Sequence, residues 1–554
     1  MTSKTGPYAN VEVTERTSWL PLMIILLAQL QMAINVSALP ISIGAIVDEL
    51  NTSPTSVSTA LVVYSLAVAG FVILGARLGK LIGSRLVFQI GVLVHGFSMG
   101  AAALSTTAND LIQYQGLAGL AAAALVPTLV VLIVTHYEGE QQTQSLGVIG
   151  GAQALASLLA FPIIGVLISL ASWRYAFGLL VFVAAVVFIL SFRLGPVPRQ
   201  RGTVIDWIGA VIAATAIILI SLGFNNLNEW GLLLASNRAP FSILGLSPAP
   251  AMVVLGLVFG RGFLDWSQTR IEGNKAPLLE LEVLDSRQER AAVLSMLIVA
   301  ALGAGITFLI PLYIQIVQGG SSLRTSVAVV PYMLAVFSAS ILVVRVFLRW
   351  TARRIGSISF LLVAAGLVIL AFAIVNDWGN LFVILGLIVT GIGEGALLTL
   401  LFAVMVSASP PELAGDVGAL RGTTNNLATG LGTAIAGALL IGMLGVLIHT
   451  NLIDNPLIPR ELKRQVNLNN IDFISNDQLL EVMQSTTATP EQVNEAVRIN
   501  TSTRLLALKV TFLVMAGMAL IGFIPARDLP NTRAGESSYE KSYEKKKAVV
   551  GDGD

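Results

Sequence analysis

Cysteine is absent from this chain of 554 residues. That excludes disulfides, thiolate nucleophiles and sulfur-ligated metal centres. Histidine is scarce: His95, His136 and His449 are the only three, too scattered in sequence to suggest an imidazole-held metal. Charged residues make up 12% of the chain, against about 25% in an ordinary soluble domain. Basic and acidic residues nearly balance, at 33 and 32, which says nothing about partners; no nucleic-acid partner is expected. A phosphate-cradling glycine loop and a Ser/His/Asp set with a usable histidine are both missing. Soluble-type catalysis is therefore excluded, and neither cofactor nor metal is expected.

What the chain has is apolar length. Hydrophobic residues make up 55% and the mean hydropathy is +0.80. Runs of roughly 20 residues, enough for a helix to cross a bilayer, recur about fourteen times. They lie near 19–43, 56–76, 86–106, 111–135, 145–170, 174–194, 205–224, 248–264, 291–317, 326–349, 356–376, 381–408, 423–447 and 505–525. None shows the alternation of a barrel strand, so all are read as helices. The first 17 residues are polar and mixed in charge, unlike a cleavable leader.

Lys and Arg in short loops set the orientation. Arg77, Lys80 and Arg85 follow span 2; Arg193, Arg199 and Arg201 follow span 6; Arg345, Arg349, Arg353 and Arg354 surround the end of span 10. Both termini are thus expected in the cytoplasm, with a plasma (inner) membrane location. The tail carries Lys541, Lys545, Lys546 and Lys547 and reads as disordered, in reach of anionic lipid. The polar insertion Asn451–Arg504 falls on the outside. In it, Thr489-Pro490-Glu491 reads as a capped helix start, and Val493, Ala496 and Val497 share one face. A short helical hairpin over the outer mouth, or a partly helical tether, is expected there.

One acidic side chain, Glu394, lies at mid-membrane depth, between Gly393 and Gly395. A bare carboxylate in hydrocarbon costs several kcal/mol, so Glu394 should face a bundle interior or a wet cavity. The flanking glycines would let another helix come close. Glu394 reads either as a proton carrier or cation counter-ion, or as a protonated group bonded to a neighbouring helix.

Several motifs occur in one order. Pro277-Leu278 opens a stretch running through Pro311-Leu312-Tyr313 with Gln315 to Gly320-Ser321 and Pro331. Asp206-Trp207-Ile208-Gly209 precedes span 7, Ser172-Trp173-Arg174-Tyr175-Ala176-Phe177 precedes span 6, and Ser409-Pro410-Pro411-Glu412 with Gly415 precedes span 13. In this order the sequence resembles the major facilitator superfamily, specifically its fourteen-helix drug/proton antiporter branch, between about residues 19 and 525. The resemblance implies an all-α membrane protein with the major facilitator fold: two six-helix bundles plus two linker helices, rocking about a midplane site. The expected units are a tail 1–18, an N-terminal bundle 19–194, a linker 195–290, a C-terminal bundle 291–525 with an outer loop 449–504, and a tail 526–554.

The departures fall on residues that carry coupling in that family. Gln31 stands where helix 1 usually has Asp, Ile112 where helix 4 has Arg, and Lys80 where the loop after helix 2 has Asp. The helix 5 motif survives only as Pro162 and Gly165, beside Phe161 and Val166. Removing one partner of a buried ion pair costs about 3–5 kcal/mol, whereas removing both is often near neutral. The joint loss of the helix 1 Asp and the helix 4 Arg follows the tolerated route. Gln31 carries no titratable proton.

The expected site combines Glu394 with Gln31, Asn35, Gln315, Tyr64 and Gln115 as cavity residues, and Arg77, Lys80, Gly83 and Arg85 as a gating loop. Gln31 and Asn35 share a helix face; Gln113 is a weaker candidate. Asn425 and Asn426 read as packing or capping residues at the cytoplasmic end of span 13, and His95 and His136 as structural. The implied function is efflux of a small organic solute, amphiphilic or cationic, by a monomer that uses protons and contacts membrane lipids. The alternatives are an uncoupled facilitator, a lipid-related exporter, and a transport-inactive scaffold or sensor.

Overall fold

The helix starts follow local chemistry. The first amides of a helix have no partner within it, and in lipid water cannot supply one. Side chains do so at Ser53, Thr107, Ser172, Asp206, Ser247, Ser286, Thr351, Asn380 and Thr489, each accepting from a first-turn amide. Thr107 with Asp110, Ser286 with Glu289, and Thr489 with Gln492 form complete capping boxes.

The computed structural model of the protein describes residues 18–532, apart from 138, 198, 200–203, 232, 237–238, 243, 348, 376–379, 410–412, 454, 456, 458–475, 485 and 487. The N-terminal tail, Arg201, Pro410-Pro411-Glu412 and the four tail lysines lie outside the described residues. Fourteen long helices are present among those described: α1 (Leu20–Leu50), α2 (Pro54–Ile82), α3 (Ser84–Ala103), α4 (Ala108–His136), α5 (Gly139–Leu170), α6 (Trp173–Ser191), α7 (Trp207–Asn225), α8 (Pro248–Glu272), α9 (Arg287–Leu312), α10 (Ser322–Phe347), α11 (Ala352–Ala373), α12 (Leu381–Ala408), α13 (Ala414–Ile453) and α14 (Pro490–Ala526). Thirteen are long and apolar enough to cross a membrane; in α5 the described apolar part is Leu158–Leu170. This is a multi-pass membrane protein.

The helices occupy the fourteen expected spans, with differences at the ends. α8 is a full 25-residue helix; Pro248 and Pro250 fall in its first turn, where proline is tolerated. α13 starts at Ala414, before the expected 423. That puts Asn425 and Asn426 inside the helix rather than at its mouth. α14 starts at Pro490, so the expected outer helix is the first part of the last span. Asn476–Gln484 folds against it, with Met483 and Ile499 buried among Leu479, Val493 and Ala496. Beyond α14, backbone bonds from Ala352 to Thr532 and from Arg353 to Pro530 dock the first tail residues on α11.

α1 to α6 form one bundle and α9 to α14 the other, while α7 and α8 pack on each other and α7 leans on α2 and α13. The bundles meet mainly where α2 packs on α13 and α5 on α10. Within the second bundle, α12 is drawn in by its glycines. A Cβ on Gly393 would lie 2.6 Å from the Ser359 carbonyl oxygen of α11, and one on Gly395 would meet the Val336 backbone of α10. Side-chain anchors tie the rest. Asp206 caps Gly209 and also accepts from Trp266 Nε1 and pairs with Arg270 at 3.5 Å, joining α7 to α8. Trp173 and Arg174 both donate to Glu49, and Arg174 also reaches the carbonyls of Ala103 and Ser105. That set joins the ends of α1 and α3 to the start of α6.

Candidate substrate cavity between the bundles

Two adjacent hollows lie between the bundles. The one of about 120 Å³ is lined by α1, α2, α5, α9, α10, α12 and α13, and Glu394 and Tyr332 face it. The one of about 80 Å³ lies nearer the α2–α3 loop and includes Tyr64, Val126 and Ile149. Val36, Arg421, Asn425 and Thr429 line both. A drug-sized ligand needs roughly 300–1,000 Å³, so the bundles are closed on the centre here.

Glu394 is 9% exposed. The Tyr332 hydroxyl of α10 donates to its carboxyl. Across the hollow, α9 presents Gly303 to the carboxyl, and a Cβ at Gly303 would run into it. Absence of a side chain there makes the room that the carboxyl occupies.

Behind the cavity wall, α1, α3 and α4 share buried amides. Gln31 Nε2 bonds His95 Nδ1 at 2.8 Å. Asn35 and Gln115 exchange two bonds, at 3.0 and 3.1 Å. Tyr64 packs edge-on to His95. His136 is held by the Leu132 carbonyl and the Gly195 amide, a structural role. Of the expected cavity residues, Glu394 and Tyr64 line the hollows, whereas Gln31 bonds His95 of α3 and Asn35 bonds Gln115 of α4 behind the wall. Gln315 is elsewhere again, in a π turn Tyr313–Val317 that continues α9. Its Oε1 accepts from the Gly44 amide at 2.9 Å and its Nε2 donates to the Pro40 carbonyl at 3.3 Å. It thus clamps α1 on the side away from the α2–α3 loop.

At the α2–α3 loop the charges join the bundles. Lys80 Nζ lies 3.2 Å and Arg77 Nη2 3.6 Å from the Asp416 carboxyl of α13. Arg77 also pairs with Glu280 at 3.3 Å and donates to the Leu278 carbonyl. Gly83 takes φ +101° at the turn, a conformation that favours glycine. Arg85 donates to the Phe192 carbonyl. Leu278 and Glu280, from the stretch after Pro277, therefore meet the α2–α3 loop.

Three residues of this site were not singled out from sequence. Tyr332 lay inside an apolar run, without a spacing signal to Glu394. Asp416 read as loop because α13 was expected to start later. Arg421 was hidden by the same boundary.

An inward-facing carboxyl, paired bundles and a charge cluster on one face together define a helical membrane transporter. Residues 25–433 match the model of the Major Facilitator Superfamily, and the chain belongs to that family. It is therefore a transporter of small molecules and not an enzyme. Its relatives include the cephamycin export protein CmcT of Amycolatopsis lactamdurans, 27% identical over 78% of this chain and 86% of the relative. The methyl viologen resistance protein SmvA of Salmonella typhimurium is 28% identical over 76% and 82%. The tetracenomycin C resistance and export protein of Streptomyces glaucescens is 24% identical over 77% of each. Among solved structures, the human organic anion transporter MFSD10 superposes with a TM-score of 0.56 at 12% identity, over 92% of this chain and 99% of that one. A bacterial homolog of the human lysosomal transporter Spinster, inward-facing and unoccupied, gives 0.56 at 14% identity, over 92% and 97%. These two share the fold.

Proposed function

We propose that the chain exports amphiphilic organic compounds, cationic ones among them, from the cytoplasm across the plasma (inner) membrane, with Glu394 as the exchangeable carboxyl. The halves 19–194 and 291–525 rock about the cavity, 195–290 bridges them, and a single chain in contact with lipid suffices. Both termini are cytoplasmic on this reading, which puts the Arg77–Lys80–Asp416 cluster at the cytoplasmic mouth.

One observation carries the proposal: Glu394 points into the central hollow, bonded by Tyr332, instead of toward lipid. A carboxyl so placed takes a proton in one state and releases it, or faces a cation, in the other. The export activities named for the relatives agree with that direction.

The test is flux into inverted vesicles under an imposed pH gradient, with cationic and neutral amphiphiles. Wild type should concentrate at least one solute when the gradient is present, and Glu394→Gln should abolish the dependence on the gradient. A gradient without effect on every transported solute removes the antiporter reading. A second reading, the uncoupled facilitator, is favoured by the neutral amide cluster of Gln31, Asn35 and Gln115. It predicts downhill flux that Glu394→Gln leaves nearly intact.

A further inference from the structure

Arg421 is a half-buried cation between the bundles. It lines both hollows, about one and a half turns along α13 from Asp416. Its guanidinium sits 4.0 Å from the centre of the Phe402 ring. Among the described residues it has no ion pair or hydrogen bond, although Asp416, Glu289 and Glu394 all lie on the helices around it. Asp416 is taken by Lys80 and Arg77, Glu289 by its capping box and Ser409, and Glu394 by Tyr332. A guanidinium carries five donors in a planar fork that fits a carboxylate or phosphate. Held over one aromatic face, it keeps those donors unspent. A cation left without a counter-charge between two bundles favours an anionic group in the hollow. Asn425 and Thr429, one and two turns on, line the same hollows and add amide and hydroxyl groups beside it.

We propose that Arg421 is the anion-binding residue of the cavity, so that the preferred solute is an amphiphile bearing a carboxylate or a similar oxyanion. The body of the solute lies on Val36, Phe161, Met296, Phe308 and Leu398, and any amino group it carries faces Glu394. The proposal deepens the exporter reading and rests on it: the acid end is read by α13, while Glu394 remains the exchangeable group.

The test compares rhodamine B with its ethyl ester, two dyes that differ in one free carboxylate. Binding to the purified full-length protein in detergent is measured by fluorescence anisotropy, which needs no pumping. Wild type should bind the free acid at least tenfold more tightly than the ester. Arg421→Gln should bring the acid down to the ester and leave the ester unchanged, and Arg421→Lys should keep part of the preference. Identical elution and thermal unfolding profiles establish that the variants are folded. Equal binding of the two dyes to wild type, binding of neither, or an equal loss of both in Arg421→Gln overturns the proposal. So does restoration of acid binding by Glu394→Gln on top of Arg421→Gln, since Arg421 would then serve Glu394 instead of the solute. Failure of the exporter reading shows separately, as absence of gradient-dependent flux in vesicles.

Discussion

Glu394 is tolerated between apolar helices because four residues around it were shaped for it. Gly303 leaves the volume, Tyr332 supplies a donor, and Gly393 and Gly395 bring α11 and α10 close. The sequence showed the carboxyl and its glycines but not the tyrosine, because a partner 62 positions away leaves no spacing signal. Hydrogen bonds to charged groups are worth about 1.5–3 kcal/mol. Tyr332→Phe should therefore slow gradient-driven export roughly 10- to 100-fold, at about 1.4 kcal/mol per tenfold, with the protein still folded. Since both residues act as one unit, Tyr332→Phe combined with Glu394→Gln should be no worse than Glu394→Gln alone. Initial rates in vesicles check this, and multiplied losses would show that the tyrosine acts elsewhere. Gln31 and His95 tell the opposite story. The lost helix 1 acid was legible, but its replacement by a bond to His95 was not, because that residue lies on a helix facing it only in the fold.

At the scale of elements, weak motifs became informative by meeting in space. The stretch after Pro277 and the loop after α2 were separate family marks in the sequence; in the fold, Arg77 joins them through Leu278 and Glu280. Asp206 and Trp266 join α7 and α8 in the same way. The replacement of the usual loop acid by Lys80 turned out to leave the face closed, since Asp416 of α13 supplies the negative charge. Its side chain is 3% exposed, so removing the charge strands Lys80 and leaves Arg77 to Glu280 and the Leu278 carbonyl, at up to about 3–5 kcal/mol for a buried pair. Asp416→Asn should shift the molecule toward opening at this face. A cysteine placed at Thr429, in a chain without native cysteine, should then react severalfold faster with a thiol reagent supplied from the α2–α3 side. An unchanged labelling rate would mean that the charge cluster does not hold the face shut. Misjudging the start of α13 had one cause: Ala414 to Arg421 carries two charges, and hydropathy alone does not extend a span across them.

Among the described residues the two main seams are α2 on α13 and α5 on α10. Both hollows between them are too small for a drug-sized solute, so transport requires the seams to part in turn. At the α5–α10 seam, Gly165 lies so close to Ser326 that a Cβ on it would sit 2.9 Å from the serine Cβ. Disulfides span about 3.5–4.5 Å between Cβ atoms, a distance reached by a slight parting of the two helices. Oxidised Gly165→Cys with Ser326→Cys should stop export, and reductant should restore it. Export that continues once cross-linking is complete would rule out opening along this seam. The number of helices and their grouping were legible because bilayer thickness fixes helix length. The seams were not, because packing between apolar faces leaves no mark that distinguishes a lipid-facing leucine from one facing a helix.

Gln315 has a further consequence for the contact between α1 and the end of α9. Its amide stands between the Pro40 carbonyl and the Gly44 amide, two groups four positions apart on α1, the spacing of one rung in a helix ladder. When α9 draws away, those two groups are already placed to satisfy each other. Only a side-chain amide is left over, at a mouth that is then filling with water. The catch can therefore open and shut many times without leaving a polar backbone group stranded in oil, and α1 heals behind it at each stroke.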